Sequence, residues 1–270
     1  MSKKKVSKKV AAKPPVADAP VATPDWRAGL IVGKQPHPPR ITLYGTHGIG
    51  KSTLGAAFPA PIFISTEDGI GNIDTVSFPQ ATHINEVVAN IRMLIKEPHD
   101  FQTVVLDTAD WLVSPLIESD IEDSYEAQEL SYGKGAIFVA EAFREILQGL
   151  DMCRLKRNMN VVILAHSNIV RFDSPTSEPY DRYEPKLPKK CNAILAEWSD
   201  VIAFAGFKVV VKKTDVGFNK EVARGISTGA RLLHYIETAA YVAKNRFDCP
   251  STTTMDIESM SKYIPITGVE

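Results

Sequence analysis

Residues Gly45, Thr46, His47, Gly48, Ile49, Gly50, Lys51, Ser52 and Thr53 lie between a short apolar run and an amphipathic one, and the first eight fit the pattern GxxxxGK[ST]. Glycines at this spacing let backbone N–H groups close around phosphate oxygens, and a helix starting at Lys51 turns its positive end toward them. Lys51 then reaches the β and γ phosphates, while the Ser52 hydroxyl ligates magnesium. The expected chemistry is binding of ATP with Mg2+. Val104-Val-Leu-Asp107 is an apolar strand ending in an acid, which is where a metal-holding carboxylate belongs beside such a loop. Hydrolysis further requires a carboxylate that orients the attacking water. Glu67, directly after the run Ile62 to Ser65, is the candidate; Asp68 is the alternative, and a plain helix-capping pair is the third reading. Asp110 reads as a cap. His166 ends the run Val161 to Ala165 and is either a sensor of the γ-phosphate or a core histidine. His37, His47, His83, His99 and His234 lack metal-ligand spacing, so magnesium is the metal implied.

These residues need a sheet to bring them together. From Arg40 onward, apolar runs alternate with helical periodicity, which predicts βαβ units: strands at 41–44, 62–65, 103–106 and 161–165, and helices at 51–57, 85–96 and 136–157. Phe138, Ala142, Ile146 and Leu150 form the apolar stripe of the last helix. After residue 200, runs at 201–207, 209–211, 221–227, 231–236 and 239–242 predict a β-rich extension with a hairpin. The fold class expected is α/β, a mainly parallel twisted sheet with helices on both faces.

Composition sets the remaining bounds. With 44% hydrophobic and 23% charged residues the chain has the make-up of a globular protein. Residues 1–25 hold Lys3, Lys4, Lys5, Lys8, Lys9 and Lys13 and no aromatic side chain, so they read as a basic tail, either a partner-binding arm or a solubilising leader; 26–270 read as one domain. Three cysteines without CxxC spacing argue for a reducing cytoplasmic setting. No stretch resembles a signal peptide or reaches the length of about 18 apolar residues that a membrane helix needs, so no membrane is expected.

With Gly45 to Thr53, FISTEDG (63–69), VVLDTADWLVSP (104–115), VVILAHS (161–167) and PYDRYEPKLPKK (179–190) in place, the chain resembles the RecA-like P-loop ATPases, and within them a phage-encoded branch associated with single-strand annealing and recombination. The resemblance covers roughly 38–250. It implies that Glu67 activates water and that His166, where RecA carries an amide, senses the nucleotide. It also implies two mobile DNA-binding loops, at about 118–135 and 168–190. The second carries Arg171, Phe172, Tyr180, Arg182, Tyr183, Lys186, Lys189 and Lys190, cations interleaved with aromatic faces, which suits phosphate neutralisation and base stacking; a polar surface loop or substrate lid is the other reading. The first is acidic. Lys244 and Arg246 look like the pair that hexameric relatives insert into a neighbour's site, which implies homo-oligomers; a plain surface pair is the alternative.

The function expected is ATP binding and hydrolysis coupled to single-stranded DNA in recombination, annealing or replication, with a single-strand-binding protein as a further partner and a host-cell cytoplasm as the setting. A second reading, favoured by the net charge of −1, is a nucleotide-switched assembly protein without a DNA role. A small-molecule kinase with 168–190 as its lid is a third.

Overall fold

The structure, a computed structural model, describes residues 29–33, 36–176, 178–215 and 221–269. The lysine-rich segment 1–25 and Trp26 lie outside them. The described residues from His37 onward form one compact unit.

This unit runs β1 (Arg40–Gly45), α1 (Lys51–Ala56), β2 (Pro61–Ser65), β3 (Val76–Ser77), α2 (Ile84–Lys96), β4 (Thr103–Asp107) and α3 (Ala109–Trp111). A π-helical turn, Leu112–Ile117, leads into α4 (Glu118–Ser124) and the long α5 (Gly135–Arg157). Then come β5 (Asn160–Phe172), β6 (Tyr180–Pro185), α6 (Lys189–Trp198), β7 (Val201–Asp215), β8 (Glu221–His234), β9 (Lys244–Asn245), β10 (Thr252–Thr254) and α7 (Ile257–Ser261). The strand order is β10-β8-β7-β1-β5-β4-β2-β3. From β7 to β3 all pairs are parallel; β8 and β10 extend the sheet antiparallel. The strand β5 therefore lies between the strand that feeds the glycine loop and the strand that ends in Asp107.

Alternation along the central strands explains the layers. Tyr44, Val104, Leu106, Val161, Ile163 and Ala165 face one way and pack with α2, α5 and α6. Leu43, Val105, Val162 and Leu164 face the other way and pack with Leu54 of α1 and Met260 of α7. Both faces are covered, so both sets are apolar and the strands read as continuous hydrophobic runs. Helix α2 buries Ile84, Val87, Ile91 and Leu94 at helical spacing.

Four expectations are corrected. The apolar stripe of α5 is centred on Val139, Phe143, Ile146, Leu147 and Leu150; Phe138 is half-buried and stacks on Tyr125 instead. The segment 168–190 is no loop: β5 continues past the sheet edge to Phe172 and pairs antiparallel with β6, after which Lys189 opens α6. The early part of 118–135 is helical, as α4. The run 239–242 forms no strand; Tyr241 makes a single bridge to Tyr183 and stacks on Phe204, so its apolar residues serve side-chain packing.

The amino-terminal edge of the sheet is fastened by Arg40, whose guanidinium donates to Asp200 at 2.8 and 3.1 Å and lies over the Trp198 ring. Burial pushes the Asp200 carboxyl upward, but hydrogen bonds from Arg40 and its charge outweigh that and hold it below the ordinary carboxylate range. Its contribution is complete above the unfolded carboxylate value and is lost as pH falls through the depressed folded value. Asp200→Ala, which leaves Arg40 only its longer contact with Asp151 at 3.6 Å, should cost about 2 kcal/mol by urea unfolding at neutral pH; an unchanged midpoint would show that the pair is not holding this edge.

Candidate functional site

The carboxyl ends of the parallel strands meet at one edge, where ligands of open α/β sheets gather. β1 ends at Gly45, in register with His166 of β5 on one side and Ala205 of β7 on the other. A Cβ on Gly45 would collide with the Ala205 carbonyl, so the chain can leave the sheet here only as glycine. The loop then turns through Gly48 and Gly50, both at positive φ (71° and 101°), and enters α1 at Lys51.

Lys51 is 6% exposed, and its ammonium donates to the carbonyls of Gly45 (3.1 Å) and Thr46 (3.0 Å). Burial lowers its pKa, and the nearby charges of Asp107, Asp110 and Glu67 oppose the shift. Asp107, at the end of β4, is 2% exposed, and neither carboxylate oxygen has a hydrogen-bond partner in the chain. Burial raises its pKa; the Ser52 hydroxyl, near it but outside hydrogen-bonding geometry, and Lys51 counteract this. A buried, unpaired carboxylate beside a hydroxyl is a hard-oxygen donor set, and it fits magnesium, which takes one or two protein oxygens and fills its shell with water and phosphate.

Glu67 is placed by a tie between two strand ends. Thr66 N–H donates to the Asp107 carbonyl at 2.8 Å, and the Thr66 hydroxyl donates to the Thr108 carbonyl (2.8 Å) while accepting the Thr108 N–H (2.9 Å). The next residue, Glu67, lines the same cleft of about 290 Å³ as Gly48, Gly50, Lys51, Ser52, Thr53, Asp107 and His166. Asp68 is exposed and is not among the lining residues. Burial raises the Glu67 pKa, aided by Asp107 and Asp110 and opposed by His166 and Lys51.

Asp110 was expected to cap a helix, and the structure corrects this. It is 5% exposed and grips His166 at two points: one oxygen accepts the His166 peptide N–H (2.9 Å), the other faces Nδ1 at 2.8 Å. Burial alone would raise the Asp110 pKa, but these hydrogen bonds and the His166 charge bring it below the ordinary range. An ionised Asp110 accepts the Nδ1 proton, which leaves Nε2 directed at Glu67, 3.8 Å away. His47 of the glycine loop stacks on His166 (centroids 3.9 Å apart), and the repulsion of that ring, with some burial and Lys51, lowers the His47 pKa. The sequence offered no signal for the pairing of Asp110 with His166, because the partners are 56 positions apart.

The remaining expected residues lie elsewhere. Lys244 donates to the carbonyls of Ala196 and Glu197, and Arg246 pairs with Asp200, both near the amino-terminal edge. Within one chain they do not reach the cleft. In the hairpin, Arg182 is bound to Glu184 and Glu237 and covers the Phe172 ring, and Tyr183 stacks on Phe204. Both are internal contacts, in contrast with the free loop residues expected. Phe172 and Tyr180 are half-buried against each other, while Arg171, Lys186, Lys189 and Lys190 are exposed.

A glycine loop leading into a helix, a buried unpaired carboxylate two strands away and an intervening strand define a P-loop NTPase fold. A family model described as an AAA domain matches residues 37–247, and the chain belongs to that family. No curated protein matches it. Among solved structures, a RadB recombinase is similar over 73% of this chain and 81% of that one, with 18% identity and a TM-score of 0.40, a likeness too distant to bear on function.

The unpaired Asp107 gives a direct check. Its charge costs stability above its raised folded pKa, and the cost fades as pH falls through that value. In metal-free buffer at neutral pH, Asp107→Asn should therefore be more stable than the wild type by about 1 to 2 kcal/mol, with the two converging in acid. A variant that melts lower would mean that the carboxylate is compensated within the chain.

Proposed function

We propose that this protein is a magnesium-dependent ATPase that works on single-stranded DNA. The observation that carries the catalytic reading is the convergence of Lys51, Ser52, the unpaired Asp107 and Glu67 on one cleft. The loop N–H groups cradle the phosphates, and Lys51 exchanges its carbonyl partners for phosphate oxygens. A magnesium ion held by Ser52 and Asp107 would neutralise charge on the β and γ phosphates. Glu67 orients a water and takes its proton as the water oxygen bonds to the γ-phosphorus and the bond to the bridging oxygen breaks; the burial that raises its pKa makes it a stronger base than a free carboxylate. Asp110 is a positioning residue, which holds the His166 ring so that Nε2 faces Glu67 and the terminal phosphate.

The link to DNA rests on continuity. His166 and the hairpin residues Arg171 and Phe172 share the strand β5, and the His166 carbonyl accepts the Lys186 N–H at 2.8 Å. A ring that responds to the γ-phosphate is thus joined by rigid backbone to exposed cations and half-buried aromatic faces that suit single strands. On this reading the role is in recombination, annealing or replication, and assembly into oligomers is what would bring Lys244 and Arg246 to a neighbour's cleft. The internal pairing of Arg182 and Tyr183 thins the cationic surface and favours, as the second reading, a nucleotide-switched assembly without DNA.

Steady-state ATP hydrolysis with and without single-stranded DNA separates the two: stimulation that fades with added salt is expected, and Lys51-dependent turnover indifferent to DNA supports the second reading. Glu67→Gln should retain ATP binding and lose at least about a hundredfold in kcat; normal turnover would remove Glu67 from the chemistry.

A further inference from the structure

Arg231 has no part in the machinery described above, yet it lies against the phosphate loop. It is on β8, two residues before Leu233, so alternation puts both side chains on one face of the sheet. Leu233 packs in the same cluster as Ile49 and Leu54, which identifies that face as the one carrying the loop and α1. Gly45, Ala205 and Leu233 form one row across β1, β7 and β8. Arg231, opposite Phe207, is therefore two residues beyond the row where β1 ends, level with the loop. Its guanidinium approaches Gly50 so closely that a Cβ there would stand 2.5 Å from Nη1 and 3.5 Å from Cζ.

The surroundings of Arg231 suit an anion. Its backbone is held on both sides, by the pairing with β7 and by the Met255 N–H, which donates to its carbonyl at 3.2 Å. The residue is exposed, and among the described residues its side chain has no ion pair or hydrogen bond, whereas Arg40, Arg154, Arg182 and Arg246 are all paired with carboxylates. A guanidinium with five donors and no acceptor, poised over a loop built to receive phosphate, matches an oxyanion in shape and charge.

We propose that Arg231 binds the polyphosphate of the nucleotide held by its own chain, as a second cation beside Lys51. The β7–β8 hairpin thereby becomes part of the nucleotide site, and Gly50, whose positive φ the turn requires, also leaves room for this side chain. The inference rests on the reading of Gly45 to Thr53 as a nucleotide site.

The test is displacement of a fluorescent ATP analogue by ADP and, separately, by inorganic tripolyphosphate, using wild type, Arg231→Ala, Arg231→Lys and Lys51→Ala, with melting temperatures recorded for each. Arg231→Ala should weaken ADP and tripolyphosphate alike by about tenfold, and Arg231→Lys should recover part of the loss because it restores charge without the planar fork. Should alanine lower the melting temperature, Arg231→Gln, which keeps most of the side chain's length, carries the same comparison. Affinities indistinguishable from wild type for both competitors would overturn the proposal. A loss confined to ADP would also overturn it, by placing the arginine on the base or ribose. Wild-type affinity in Lys51→Ala would instead remove the underlying site reading.

Discussion

A carboxylate buried without a hydrogen-bond partner is costly, and Asp107 is one. Left alone in the chain, the group lessens that cost by holding its proton more tightly, which is the direction in which burial moves its pKa. A divalent cation held there would lower the cost differently, by setting a positive charge beside the carboxylate. Because binding to the folded state alone stabilises it, the metal and its nucleotide are expected to act on stability as well as on chemistry. The rest of the site is arranged around this charge: Lys51 supplies the opposing cation, Ser52 the second oxygen, and Glu67 a carboxylate set apart on the neighbouring strand.

What fixes these groups is the strand order more than any local motif. β5 lies between β1 and β4, so His166 lies beside Gly45 and between the loop and Asp107. The Thr66–Thr108 tie holds β2 and β4 level at their ends, and the Asp110 carboxylate holds the His166 ring from α3. Tyr44, one residue before the loop, donates its hydroxyl to the carbonyls of Val242 and Tyr183, which fastens the base of the β5–β6 hairpin to the loop strand. Nucleotide site and hairpin thus share two rigid connections, one along β5 and one through Tyr44.

The parts of this site that the sequence made legible are those whose partners are near in the chain or fixed by spacing. The glycine loop has both its residue types and its strand-to-helix context within a dozen positions, and Asp107 and Glu67 each follow an apolar run that can only be a buried strand. Asp110 was misread because a carboxylate in the first turn of a helix has a local use as a cap, and nothing nearby reports that a histidine at the end of a strand will claim it. Arg231 was passed over for the same reason: its contact with Gly50 is made by the antiparallel extension of the sheet, far along the chain. The hairpin at 168–185 was read as a loop because its strands project beyond the sheet, where burial no longer imposes alternation, and because polar residues with Pro175 and Pro179 lie between them. In each case a contact distant in sequence decided the outcome.

The central claim is that the cleft at the carboxyl edge is completed by a metal and a nucleotide together. Calorimetric titration of the full chain with a non-hydrolysable ATP analogue, in the presence of magnesium and again with the metal chelated, tests it most directly. One nucleotide per chain, bound markedly more tightly with magnesium, is the predicted result. An affinity that does not respond to magnesium, or no binding in either buffer, would contradict it.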